Sequence, residues 1–205
     1  MTIRYPGRAA ALLAAALLAT RADAAVSLPS YQVDLAQTSV SGISSGGFMS
    51  VQFHVAHSAI VSGVGVLAGG PYGCARGSSR RALEVCMTGQ ADAAMSAQQT
   101  LRAFRNGAID DPANLADDRL WLLSGYNDGV VRQGTMDALY DYYRRFTGVG
   151  TIFYRDNLEA GHAQITPDFG GSCAATGGSY INDCDYDAAG ALLQHIYGRL
   201  EPTPE

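Results

Sequence analysis

The chain has 205 residues, 47% hydrophobic and 16% charged, which is enough for one domain with a real core and excludes a disordered polypeptide. Its 14 basic residues are all Arg and face 19 acids, for a formal charge of −5 without any basic block. Binding nucleic acid needs a positive footprint, so that class of partner is not expected.

The first residues read as a targeting segment. Arg4 and Arg8 precede an apolar run, Ala9 to Ala19, that is too short to span a bilayer. Ala22-Asp23-Ala24 has the small-x-small pattern that signal peptidase needs. Residues 1–24 are therefore expected to be a signal peptide cleaved after Ala24, with an uncleaved anchor as the alternative. Residues 25–205 then form the mature domain, secreted or periplasmic, with no stable membrane insertion. That domain would carry 11 Arg against 18 acids, a net −7, which suits a neutral substrate and repels an anionic one at long range.

Taken in chain order, Ser39 to Ile43 alternates and runs into glycines, as a strand ending in a turn does. Gly46 to Ala56 reads as the helix after it. Gly63 to Ala68 (GVGVLA) is a small-residue apolar run, a buried strand stopped by Gly69-Gly70-Pro71. Ala93 to Phe104 has helical spacing, and Arg119 to Ser124 (RLWLLS) has strand length. Met136, Leu139, Tyr140 and Tyr143 share one face of a helix ending near Phe146. Gly150 to Tyr154 is a further β-rich run, and Asp187 to Tyr197 is the last helix. Strands alternating with helices predict an α/β fold with a parallel, doubly wound sheet. In such sheets chemistry gathers beyond the carboxyl ends of the strands.

Gly42-Ile43-Ser44-Ser45-Gly46 matches G-x-S-x-G. On a sharp strand-to-helix turn the serine is strained, its hydroxyl stands in the open, and glycines on either side let strand and helix pass closely. The next backbone N–H, that of Ser45, points where an oxyanion would develop. A glycine-rich turn without chemistry is the plain alternative, but a strand before the motif and a helix after it favour a nucleophile. Asp128 lies just past RLWLLS, at the carboxyl edge, where an acid belongs; it also reads as a turn-forming Asp-Gly. Asp117 and Asp118 precede that strand and fall at the wrong end, while Asp137 and Asp141 sit on a helix and read as solvated.

Of the four histidines, His162 follows the Gly150–Tyr154 strand in the loop Glu159-Ala160-Gly161-His162. His54 and His57 lie on the helix behind Ser44, too local to fold back, and read as packing or surface residues; their spacing could hold a metal, but no third ligand is apparent. His195 sits mid-helix among apolar residues. The order Ser44, Asp128, His162 is that of α/β-hydrolases.

Four cysteines remain: Cys74, Cys86, Cys173 and Cys184. Export makes disulfides the default, and the local pairs Cys74–Cys86 and Cys173–Cys184 are preferred among three pairings. Each closure is worth ~3 kcal/mol on the chain-entropy estimate. A metal site competes, but paired C-x-x-C spacing is missing.

Four blocks, VSGISSGGFMSVQFHVAHS, VGVLAGGPYGCA, GHAQITPDFGGSC and YINDCDYDAAGALLQHIYG, resemble poly(3-hydroxybutyrate) depolymerases, and the similarity runs from about Tyr31 to Leu200. The resemblance implies a serine esterase with Ser44, Asp128 and His162 as its triad, a polyester substrate, and neither a metal nor an organic cofactor. It also implies a circularly permuted α/β-hydrolase in which the nucleophile strand comes first and later segments complete the sheet and the oxyanion hole. Against that pattern the chain reads as an N-terminal portion. Its nucleophile strand is expected to lack a partner on one side, leaving an edge prone to self-association. Weak stability and weak activity are the expected consequences, since one lost oxyanion donor costs ~10²–10³ in kcat. An esterase of small soluble esters and a non-catalytic remnant are the competing readings.

Overall fold

The computed structural model describes residues 29–148 and 150–201. The expected signal peptide, with its cleavage site after Ala24, lies outside the described residues. Contacts divide the chain after Val33, and the elements below belong to the unit that starts at Asp34.

Four strands, β1 (Thr38–Ile43), β2 (Val61–Leu67), β3 (Arg119–Gly125) and β4 (Ile152–Leu158), pair in that order and always in parallel. The connections carry α1 (Ser45–Ala56), α2 (Ala93–Arg105) and α3 (Gln133–Tyr143). Each step advances one strand in the same direction, so right-handed crossovers put all three helices on one face. The packing follows: Val51 and Val55 of α1, Ala97 of α2, and Met136 and Leu139 of α3 bury against Val64, Val66, Leu120 and Leu122.

The doubly wound sheet expected from the sequence is corrected here. Double winding needs a reversal in strand order, and the described strands show none. The second face is covered instead by α4 (Ala188–Tyr197), whose Ala188, Leu192 and Ile196 pack with Trp121, Leu123 and Ile165. Alternating small residues on β2 make this possible. A Cβ on Gly65 would stand 2.1 Å from Leu192 Cδ1, so the glycine lets α4 lie flat on the strand.

Strand β4 runs Ile152–Leu158, later than the apolar run at 150–154 suggested. It is an outer strand of the described sheet, and Phe153, Asp156 and Asn157 are exposed. An edge strand tolerates charges that a burial pattern excludes. The sequence also left out a small second sheet of β5 (Gln164–Thr166), β6 (Gly171–Ser172) and β7 (Ile181–Asp183), in the order β5-β7-β6. Strands of two or three residues carry no readable periodicity.

Two disulfides are present. Cys74–Cys86 closes the segment after β2, with Cα atoms 5.9 Å apart, and Cys173–Cys184 closes the small sheet at 4.7 Å. No helix among the described residues is long and apolar enough to cross a membrane.

Candidate active site

Parallel pairing places the carboxyl ends of β1, β3 and β4 along one rim, and Ser44, Asp128 and His162 follow those ends. Ser44 joins β1 to α1 with φ 57° and ψ −124°. For a residue with a Cβ that backbone costs ~1–3 kcal/mol, and it persists because its surroundings hold it. Ser44 N–H donates to Leu67 O at 3.0 Å, and Ser44 O accepts the first helical bond from Phe48 N–H at 2.9 Å.

The glycines around it divide unequally. A Cβ on Gly42 would meet the Gly46 carbonyl carbon at 2.5 Å, so strand and helix touch there. A Cβ on Gly46 would meet nothing within 4 Å. The second crowded glycine is Gly47, which lies outside the five-residue motif and faces Leu67 O at 2.8 Å. The motif's last glycine is thus not what lets the helix approach.

Asp128 and His162 are brought together. The Nδ1–H of His162 donates to Asp128 Oδ2 at 2.7 Å, and both side chains are buried. Asp128 Oδ1 accepts from Val130 N–H at 2.8 Å and Val131 N–H at 2.9 Å. The turn contacts and the histidine contact thus fall on different oxygens of Asp128. The loops meet directly, with Asn127 N–H donating to Ala160 O at 3.1 Å. A Cβ on Gly125 would sit 2.1 Å from that same oxygen, so only glycine permits the approach.

His162 is fixed from behind. Its backbone N–H donates to Thr176 Oγ1 at 2.9 Å, and Gly161 N–H donates to Cys173 O at 2.8 Å. With Nδ1 carrying the proton, Nε2 keeps a free lone pair. Among the described residues Nε2 has no hydrogen-bond partner, and it is not sealed from solvent. Ser44 Oγ likewise makes no hydrogen bond among them, so the structure does not join serine to histidine directly. Ser45 opens α1, where the first N–H groups have no acceptor inside the helix.

An apolar cavity of about 540 Å3 opens beside Ser44 and Ser45. Phe48, Met49, Pro71, Met87 and Val131 line it. Val131 belongs to both features, since it lines the cavity and its N–H holds Asp128. Nothing in the sequence pointed to Val131, Thr176 or Met87, because backbone donors and cavity walls have no motif.

The remaining candidates lie elsewhere. His54 is fully buried, with Nδ1 at 2.8 Å from the Tyr143 hydroxyl and Nε2 at 2.9 Å from Asp118 Oδ2. A carboxylate only accepts, so Nε2 carries the proton and Tyr143 donates to Nδ1. Burial pushes the Tyr143 hydroxyl well above its usual range, which keeps it a donor. The His57 ring lies against Phe53 in a tilted arrangement, with centroids 4.7 Å apart, and His195 Nε2 meets Thr151 O at 3.0 Å. Among the described residues no group of three or more His, Cys, Asp or Glu side chains is placed to hold a metal ion.

The chain is 47% identical over 183 residues to the poly(3-hydroxybutyrate) depolymerase of Delftia acidovorans, covering 86% of this chain and 36% of that protein. Identity to the polyhydroxybutyrate depolymerase of Talaromyces funiculosus is 35% over 182 residues, covering 86% and 52%. By sequence and fold the chain is similar to PHB depolymerases. The crystal structure of PHB depolymerase from Penicillium funiculosum matches with a TM-score of 0.77 at 32% identity, over 86% of this chain and 56% of that one. A PHB depolymerase variant complexed with an R3HB trimer matches with a TM-score of 0.77 at 32% identity, over 85% and 55%. The parallel sheet with its helices is accordingly an α/β-hydrolase-like fold. The chain spans 36% to 56% of the length of these relatives. No protein-family model matches it.

Proposed function

We propose that this chain forms a serine esterase site for poly(3-hydroxybutyrate) or its oligomers, with Ser44 as nucleophile, His162 as base and Asp128 as the acid that orients it. The observation that carries the reading is the 2.7 Å Asp128–His162 pair at the rim where the strained Ser44 stands beside an apolar cavity. Its chemistry starts with Ser44 Oγ attacking the ester carbonyl carbon while its proton passes to His162 Nε2. Apo geometry often leaves such bonds open until substrate binds. Asp128 stabilises the imidazolium, and the Ser45 N–H faces the developing oxyanion. The imidazolium then protonates the leaving alkoxide. Water, deprotonated by the same imidazole, cleaves the acyl-enzyme and restores the serine hydroxyl.

The proposal includes export. Residues 1–24 are removed at the membrane, residues 25–205 form the catalytic portion, and both disulfides close outside the cytoplasm. It also includes an association surface, because β1 is an outer strand of the described sheet and offers one row of backbone groups to another strand. The test is turnover of a short nitrophenyl ester and of amorphous polyester by the purified chain and by Ser44→Ala. Turnover lost in the variant supports the reading; turnover that survives it removes Ser44 from the mechanism.

A further inference from the structure

The cavity beside Ser44 and the loop carrying Asp128 share one support. The segment from Pro71 to Met87 forms much of the cavity wall, and the Cys74–Cys86 bridge closes it. Both bridged cysteines face the cavity and are buried. Within the closed loop, the Arg81 guanidinium donates to Cys74 O at 2.7 Å, so the wall is tied across its own base.

The wall then connects to the acid loop. Met87 follows the second cysteine and lines the cavity, and its carbonyl accepts from Arg132 N–H at 2.9 Å. Arg132 follows Val131, whose N–H holds Asp128 Oδ1. Gly89 N–H adds a second tie to the same region, donating to Thr135 Oγ1 at 3.0 Å. A continuous path of one covalent bridge and three short hydrogen bonds thus leads from Cys74 to His162.

We propose that the Cys74–Cys86 bridge is a positioning element of the esterase site: it fixes the wall that limits the acyl chain accepted beside Ser44 and, through Met87 and Arg132, the loop that presents Asp128 to His162. Met87 is the specificity-determining side chain in this arrangement. The inference rests on the Ser44 esterase reading and adds to it a determinant of chain length and a dependence on the oxidised state.

The test uses the full chain and the ratio of kcat/KM for nitrophenyl hexanoate to that for nitrophenyl acetate. In Cys74→Ala/Cys86→Ala the ratio shifts about tenfold toward the longer ester, and kcat falls by up to ~10²-fold, the size expected for a displacement of about 1 Å. Met87→Ala, with the bridge intact, shifts the ratio in the same direction. Leu115→Ala, buried beside the amino end of β3, supplies a destabilised comparison whose ratio stays at the parent value. Should the double variant fail to fold, Met87→Ala alone decides. An unchanged ratio in Met87→Ala, or an equal shift in Leu115→Ala, overturns the inference while leaving the Ser44 reading intact. Turnover that survives Ser44→Ala overturns both.

Discussion

Asp128 divides its two oxygens between His162 and the backbone of its own loop. Oδ2 accepts from the His162 Nδ1–H at 2.7 Å, while Oδ1 is held by the N–H groups of Val130 and Val131. The carboxylate cannot rotate toward the imidazole or away from it without breaking bonds on the other side. That is a rigid seat for an acid, and it separates the effects of charge from those of geometry.

Asp128→Asn is therefore expected to keep the loop and lose the chemistry. The amide oxygen still accepts from Val130 and Val131, but its NH₂ then faces Nδ1 and drives the proton to Nε2, the wrong tautomer for a base. The expected fall in kcat is ~10³–10⁴. Thermal unfolding within a few degrees of the parent, measured beside the kinetics, checks that the loss is chemical.

Gly42→Ala and Gly46→Ala should part company. The first pushes a methyl into the Gly46 backbone at 2.5 Å, shifting the Ser44 turn, and is expected to lower turnover by ~10² or more. The second meets open space in the first turn of α1, where alanine favours the helix, and should retain the fold. Near-parent activity in Gly42→Ala would contradict the tight strand–helix contact.

His54→Ala removes the group joining Tyr143 and Asp118, both of which remain buried with a polar atom unpaired. The expected cost is about 2–4 kcal/mol in urea unfolding. Its effect on kcat should be small at a temperature where the variant is folded, because His54 sits in the last turn of α1, away from Ser44.

Alkaline stability follows from the buried phenols. Burial raises the hydroxyls of Tyr142 and Tyr143 above their ordinary value of 10.0. Between that value and their raised ones the unfolded chain releases protons that the folded chain retains, so stability is complete below pH 10 and falls above it. The limiting slope is about 1.4 kcal/mol per pH unit for each group. Tyr143→Phe should lessen the slope, as read from urea midpoints on either side of pH 10.

Much of the fold could be read from the residues because its strands are buried and its helices amphipathic. The runs GVGVLA and RLWLLS became β2 and β3 since central parallel strands are apolar throughout. Strand β4 was displaced because an edge strand can leave Asp156 and Asn157 exposed to solvent. The order of Ser44, Asp128 and His162 along the chain could also be read, and so could the strand end each one follows. Three kinds of feature were hidden. The role of Gly47 depends on what a helix touches across the sheet. The buried His54–Asp118–Tyr143 cluster joins residues up to 89 positions apart. The link from Met87 to Asp128 runs through backbone atoms that every sequence has.

The central claim is that Ser44 is a nucleophile whose proton is taken by His162. Its most direct measurement is mass spectrometry of the purified chain after exposure to a fluorophosphonate, comparing parent, Ser44→Ala and His162→Ala. One adduct on Ser44, absent from the first variant and slowed by orders of magnitude in the second, is the predicted result. An unmodified Ser44 in folded parent protein, or labelling undiminished in His162→Ala, would contradict it.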